Sequence, residues 1–174
     1  IVLALICKKN DIHFTYLGTG CIFQFDDTNC NNCHPFGIEE NGFNEDSLPN
    51  FFGSSYSIVK GFTDRIMNLE ELCNYVLNLR IRMPITGKLN TRNFITKITK
   101  YEKICSIPNS MTVLDELLPI ALDMIIKKKT GCINLTNPGL ISHNKILEMY
   151  KAIVDPSFEW KNFTVKEQDK ILAS

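Results

Sequence analysis

With 174 residues, 44% of them hydrophobic, the chain is long enough for one substantial core or one and a half smaller ones. Nineteen basic residues balance nineteen acidic ones, so no long-range field draws the protein to nucleic acid or to an anionic membrane. No apolar run reaches the roughly 18 to 20 residues of a membrane span, the apolar start lacks the basic flank of a signal peptide, and seven irregularly spaced cysteines fit a reducing compartment, so the expectation is a soluble, cytoplasmic protein.

The first residue is not Met and the chain opens in an uncapped, helix-like apolar stretch, so further chain is expected upstream. Residues 2–9 read as the end of a helix. Asn10-Asp11 then turns into His13-Phe14-Thr15-Tyr16-Leu17, a β-rich run closed by Gly18. Residues 26–50 are polar and rich in Asn, Gly, Asp and Pro, which predicts a long surface loop. Ser54 or Ser55 can cap a helix to about Met67. A second strand fits residues 75–83, where Tyr75, Leu77, Leu79, Ile81 and Met83 alternate with Val76, Asn78, Arg80 and Arg82 until Pro84 ends it. Residues 92–100 are helical in composition. Thr112 with Asp115 resembles a capping box opening a helix to Lys128 that Pro119 should kink. Residues 131–135 make a short third strand, and Ser142 caps a helix with Ile146, Met149, Tyr150 and Ile153 on one apolar face. Strands alternating with helices predict an α/β fold with a mainly parallel sheet, since parallel neighbours cannot be joined by a tight hairpin. A ligand then belongs at the carboxyl ends of the strands, at Gly18-Thr19-Gly20-Cys21 and Met83-Pro84-Ile85.

Tyr56-Ser57-Ile58-Val59-Lys60 carries the clearest chemistry, because residues four apart lie one turn apart on one helix face. A tyrosine that gives a proton to a carbonyl oxygen near neutral pH needs its phenolate stabilised, and a nearby ammonium does this. The same spacing also occurs on solvated helix faces, so its position after a strand ending in Thr19 matters. Cys21, two residues on in an extended segment, faces the same way as Thr19. Cys30-Asn31-Asn32-Cys33-His34 fits half of a zinc site or a haem-attachment pattern, but no second such pair exists, and no metal is expected. His13 reads as a strand residue and His143 as a helix-terminus residue. Arg80 and Arg82 share a strand face, where they could meet a diphosphate or pair with local acids. Trp160 with Phe158 and Phe163 reads as a packing cluster.

The strand-end threonine, the loop, the YxxxK helix and the strand ending in Arg82-Met83-Pro84 together resemble the second half of an extended short-chain dehydrogenase. Thr19-Gly20-Cys21-Ile22-Phe23, Asn50-Phe51-Phe52-Gly53-Ser54-Ser55-Tyr56-Ser57, Arg80-Ile81-Arg82-Met83-Pro84-Ile85 and Arg92-Asn93-Phe94-Ile95-Thr96-Lys97-Ile98-Thr99 narrow the resemblance. With Ile107-Pro108-Asn109-Ser110-Met111-Thr112, Asp115-Glu116-Leu117-Leu118-Pro119 and Thr136-Asn137-Pro138-Gly139, they look like the bifunctional nucleotide-rhamnose synthases, 3,5-epimerase/4-reductases related to dTDP-4-dehydrorhamnose reductase.

The resemblance implies a partial Rossmann-like, doubly wound sheet over residues 1–85. A small substrate-binding lobe would follow over residues 86–174, with the strand at 131–135 able to return to the sheet. It implies NADPH or NADH as cofactor, bound by Tyr56, Lys60, Met83, Pro84 and Ile85. A nucleotide sugar would be bound by Thr19, Cys21, Asn93, Phe94 and Lys97. Thr19, Tyr56 and Lys60 correspond to the reducing residues, and Cys21 and Lys97 to the epimerising ones. No glycine-rich strand-to-helix turn for a cofactor pyrophosphate occurs in the sequence, so this stretch alone is expected neither to bind cofactor well nor to turn over. The alternatives are a dTDP-4-dehydrorhamnose reductase without epimerase activity and a non-catalytic nucleotide-sugar-binding subunit. UDP against dTDP, NADPH against NADH and oligomeric state, including a homodimer, stay open.

Overall fold

The structure, a computed structural model, describes residues 1–24, 42–164 and 167. Helix α1 (Val2–Lys9) ends on Lys8 and Lys9, cations that suit the negative end of a helix dipole. Strand β1 (Phe14–Thr19) follows the turn at Asn10-Asp11. Of the expected long loop, residues 42–50 contain neither helix nor strand, and residues 25–41, with Cys30, Cys33 and His34, lie outside the described residues. Ser54 caps helix α2 (Ser55–Met67), its Oγ accepting the Ser57 N–H. A four-residue helix, α3 (Glu70–Cys73), which the sequence reading did not anticipate, precedes strand β2 (Val76–Ile81). The strand stops two residues short of the predicted end. Beyond it the chain turns at Met83, whose φ of 42° is left-handed, immediately before Pro84.

Strand β3 (Pro84–Ile85), helix α4 (Phe94–Ile98), strand β4 (Lys103–Ile104) and strand β5 (Thr112–Val113) come next. Helix α5 (Leu114–Ile126) runs on through Pro119, and strand β6 (Gly131–Asn134), helix α6 (His143–Ile153) and strand β7 (Lys161–Asn162) complete the order. The capping box expected at Thr112 and Asp115 does not form. Thr112 is in a strand, its hydroxyl accepting the Arg82 N–H at 2.9 Å and donating to the Leu135 carbonyl at 2.7 Å. Asp115 accepts from the Gly87 N–H and the Thr86 hydroxyl. Distant partners have taken both side chains from the local motif. On α6 the Ser142 cap forms as expected, but Ile146 and Leu147 are the buried pair while Met149 and Ile153 are largely exposed. Tyr150 instead turns an edge toward Phe158, ring centroids 5.2 Å apart.

The main sheet is wholly parallel, in the order β1-β2-β6, with Phe14 opposite Val76 and Leu77 opposite Gly131. Two small parallel pairs, β3 with β5 and β4 with β7, stand beside it. Strand β2 is central and covered on both faces. Leu77 and Leu79 pack with Leu117 and Ala121 of α5 and with Leu135, while Val76 joins Ala4, Met67 and Leu72. A separate core gathers Ile98, Ile104, Met111, Ile146 and Leu147. Helix α5 and strand β6 thus pack on the first sheet, although both come from the second half of the sequence.

The polar face of β2 is also buried. Arg80 gives Nε and Nη2 to the two carboxylate oxygens of Asp64 on α2, at 2.8 and 2.7 Å, and its remaining donors reach the carbonyls of Asn44, Glu45 and Ser47. Burial alone would lower the Arg80 pKa, but the hydrogen bonds and charge of Asp64 raise it above the ordinary guanidinium value. Asn78 adds a bond from Nδ2 to Asp64 Oδ2 at 2.9 Å. Gly18 makes room for this network: a Cβ there would stand 2.7 Å from Asn78 Oδ1, which is buried and fixed.

Taking one partner from a buried, hydrogen-bonded ion pair leaves an uncompensated charge. Asp64→Asn is therefore expected to cost about 3–5 kcal/mol in urea unfolding, and Gly18→Ala about 1–3 kcal/mol through overpacking. An unfolding midpoint of Asp64→Asn equal to that of the unmodified chain would contradict this account of the core.

Candidate active site

In a parallel sheet, side chains and backbone amides at the carboxyl ends of the strands are left without a next strand residue, and ligands collect there. Strand β1 ends at the buried Thr19, whose Oγ accepts the Cys21 N–H at 3.1 Å. The Gly20 N–H continues the pairing with β2 by donating to the Ile81 carbonyl at 2.9 Å. The Ser57 hydroxyl then donates to the Cys21 carbonyl at 2.9 Å, which ties the first turn of α2 to the end of β1. Close packing reinforces this tie. A Cβ on Gly61 would meet Phe52 and Pro49 side-chain carbons at 3.3 Å, so α2 lies directly on the 49–52 segment.

Tyr56 and Lys60 lie one turn apart on α2. Tyr56 is 53% exposed and has no hydrogen bond among the described residues. Lys60 gives its ammonium to Tyr16 Oη at 3.1 Å and sits 4.8 Å from the centre of the Tyr16 ring, with the Leu17 carbonyl at 3.5 Å. In this structure, then, the partner of the lysine is a tyrosine of β1 that the sequence reading did not single out. The Ser57 bond brings the first turn of α2 to Cys21 just beyond β1, and the Lys60 bonds tie the next turn to Tyr16 and Leu17 within the strand. No direct hydrogen bond joins Tyr56 to Thr19 or to Lys60 among the described residues.

Cys21 has a partner of its own: Arg82 Nη1 lies 2.7 Å from its Sγ. Arg82 also gives Nε to Asn109 Oδ1 at 3.1 Å. Of the remaining predicted residues, Met83 occupies the left-handed turn after β2, and Pro84 and Ile85 pair with Thr112 and Val113. Asn93 is buried and committed to backbone: its Oδ1 caps α4 through the Ile95 N–H, and its Nδ2 donates to the carbonyls of Thr86 and Lys88. Phe94 packs in the second core with its ring 5.4 Å from that of His143. Lys97 is exposed on α4, with no hydrogen bond or ion pair linking it to Cys21 among the described residues.

The residues set aside on sequence grounds have structural partners. His13 bonds the Lys129 carbonyl, and Trp160 stacks on Phe158 while giving its N–H to Asn144. Among the described residues no group of three or more His, Cys, Asp or Glu side chains could hold a metal ion. No helix among them is long and apolar enough to cross a membrane.

Comparison with known proteins narrows what this arrangement serves. The chain superposes on the crystal structure of a UDP-rhamnose synthase from Acanthamoeba polyphaga mimivirus with a TM-score of 0.86 and 56% identity, over 97% of this chain and 56% of that one. It is 49% identical to an Arabidopsis thaliana bifunctional dTDP-4-dehydrorhamnose 3,5-epimerase/dTDP-4-dehydrorhamnose reductase, over its full length and 55% of that protein. The chain is a homologue of these two enzymes. It spans about half of their length. No protein-family model matches it. A dTDP-4-dehydrorhamnose reductase from Bacillus anthracis in complex with NADP shares the fold, with a TM-score of 0.68 at 17% identity over 95% of this chain and 56% of that one. The α/β, Rossmann-like expectation therefore holds.

Sequence reasoning missed Tyr16, Ser57 and the Arg82 contact with Cys21. The sequence does hold a signal for the last: once β1 and β2 are paired in parallel, Thr19 opposite Ile81 brings the residues just beyond both strands together. His143 was read only as a helix-terminus residue. It opens α6, donates from Nδ1 to the Cys105 carbonyl at 2.7 Å, and its pKa is lowered by burial and by the nearby Arg82 cation, against the raising effect of that carbonyl. Because its folded pKa is depressed, the unfolded chain takes up this proton first as the pH falls. Its contribution to stability is whole above about pH 6.5, the ordinary histidine value, and fades below it. Unfolding free energies measured between pH 8 and pH 5 should fall in this window, and His143→Gln should flatten that part of the profile.

Proposed function

We propose that the whole protein of which this chain is part epimerises C3 and C5 of a nucleotide-linked 4-keto-6-deoxyglucose, in its UDP form, and then reduces C4 to give the nucleotide-linked L-rhamnose. The observation that carries the reading is the Ser57 to Cys21 hydrogen bond. It holds the segment bearing Thr19 and Cys21 against the first turn of the helix that carries Tyr56 and Lys60, which supports a shared site for proton transfer to oxygen and from carbon. The activities for which the homologous enzymes are named support the same chemistry.

Reduction of a ketone needs a hydride, which a bound nicotinamide dinucleotide supplies. The residues present fit its nicotinamide-ribose end, because Tyr56 and Lys60 stand one turn apart on one helix face and Lys60 lies against β1 at Tyr16 and Leu17. The described residues contain no glycine-rich turn between a strand and a helix for the pyrophosphate. In this reading Tyr56 gives its proton to the C4 oxygen, Lys60 binds the ribose hydroxyls, and Thr19 hydrogen-bonds the carbonyl oxygen. Met83, Pro84 and Ile85 shape the ring pocket where the chain leaves β2. NADPH or NADH serves as the cofactor.

Epimerisation next to a ketone needs one group to remove a proton from a carbon and another to return a proton on the opposite face. Cys21 and Lys97 take these roles, with Lys97 carried toward the sugar on α4. Residues 86–174, apart from helix α5 and strand β6, which join the main sheet, supply the substrate lobe, Phe94 lying along the sugar and Asn93 acting through the loop that it ties to Thr86 and Lys88. A reductase without epimerase activity would use neither Cys21 nor Lys97.

In the full-length enzyme, Tyr56→Phe should slow reduction by about 10²–10⁴-fold, the usual worth of a positioned proton donor. Deuterium uptake at C3 and C5 in D2O should continue in that variant and stop in Cys21→Ala. Mass spectrometry and NMR of the products from UDP-4-keto-6-deoxyglucose and NADPH read both steps. Undiminished reduction by Tyr56→Phe would remove the assignment, and absent deuterium uptake by the unmodified enzyme would leave only the reductase.

A further inference from the structure

Arg82 is the cation best placed to act on Cys21. The parallel pairing of β1 and β2 ends at Thr19 opposite Ile81, so Cys21 and Arg82 leave the sheet side by side. Gly20 makes the approach possible, since a Cβ there would stand 3.3 Å from Arg82 Cδ, tighter than ordinary contact. The arginine is then held from three directions. Its N–H donates to Thr112 Oγ at 2.9 Å, its carbonyl accepts the Thr112 N–H at 2.8 Å, and its Nε donates to Asn109 Oδ1 at 3.1 Å. That fixes the guanidinium so that Nη1 points at Cys21 Sγ, 2.7 Å away. Among the described residues no carboxylate forms an ion pair with it, in contrast to Arg80, whose charge is met by Asp64. A half-buried guanidinium without a carboxylate partner has its Nη1 aimed at a sulfur, the geometry of a charged donor held against a thiol.

We infer that Arg82 is a positioning residue for epimerisation, holding the Cys21 sulfur toward the sugar and acting as counter-ion to its thiolate. This rests on the proton-transfer role proposed for Cys21. When the thiolate takes a proton from the carbon beside the ketone, the C–H bond breaks, an S–H bond forms, and the C–H electron pair moves into the carbonyl to give an enolate. The charge leaves the sulfur and Arg82 loses its partner. Lys97 then gives a proton to the carbon from the opposite face as the enolate returns to the ketone, the Cys21 thiol loses its proton to solvent while Lys97 regains one, and the ion pair forms again. Asn109 and Thr112 hold Arg82, so the segment from 109 to 112 is linked through it to the reacting sulfur.

The test uses the full-length enzyme and two readouts: deuterium uptake at C3 and C5 of UDP-4-keto-6-deoxyglucose in D2O, and the rate of Cys21 alkylation by iodoacetamide at pH 7 without substrate, followed by peptide mass spectrometry. Arg82→Met is expected to lower both about tenfold or more, and Arg82→Lys to recover a large part of each. Asn109→Ala, which frees the guanidinium without removing it, should lower alkylation several-fold and keeps the test decisive if Arg82→Met does not fold. Alkylation of Cys21 at the unmodified rate in either Arg82→Met or Asn109→Ala would overturn the inference. Loss of alkylation with full deuterium uptake would overturn the catalytic part of it. Deuterium uptake persisting in Cys21→Ala would instead remove the role of Cys21, while the alkylation rates would still report on the Arg82 contact.

Discussion

The buried pair of Asp64 and Arg80 fixes the helix that carries Tyr56 and Lys60 to the central strand of the sheet. Both carboxylate oxygens and two guanidinium nitrogens are used, and the guanidinium has donors left for three carbonyls between residues 44 and 47. A single charged side chain thus holds a helix, a strand and a returning loop. Desolvating two charges is costly, and the pair is tolerable only because nearly every donor and acceptor is met. The geometry that results is specific. Asp64 is one turn beyond Lys60 on α2, so anchoring it sets how far along β1 the lysine can reach.

That reach explains the Lys60 contact with Tyr16. On an isolated helix Lys60 would most naturally face Tyr56, one turn back. Packed on the sheet, it meets the phenol of Tyr16 and the carbonyl of Leu17 from β1. The ammonium therefore meets the tyrosine of the strand and not the one a helical turn away. At the other end of the site Arg82 makes the corresponding link, joining Cys21 to Asn109 and, through its backbone, to Thr112. The left-handed turn at Met83 comes directly after it and redirects the chain from the main sheet into the β3–β5 pair. Strain of this kind persists only where the surrounding bonds hold it, as those of Thr112 do here.

Local signals were legible where one short segment contains all the physics. The Ser54 and Ser142 caps, the helix bearing Tyr56 and Lys60 and the turn before β1 depend on neighbours within four residues. Parallel pairing was also legible, because alternating strands and helices leave few other connections. The capping box at Thr112 and Asp115 failed for the opposite reason: Leu135, Arg82, Thr86 and Gly87 offered better partners from elsewhere in the chain. The apolar face of α6 was misread by one position, since a short helix packed on one side can bury the adjacent Leu147 in place of Met149. Asn93 was read as a substrate residue, yet both ends of its amide are consumed by backbone.

The sequence by itself determined which residue types stand at helical or extended spacing, and hence that a tyrosine and a lysine share a helix and a threonine and a cysteine share a strand end. Only the tertiary structure decided which charges meet: Arg80 with Asp64, Lys60 with Tyr16, Arg82 with Cys21. Helical and strand periodicities follow from backbone geometry over a few residues, whereas these partners are 16, 44 and 61 positions apart and come together only once the strands have found their register.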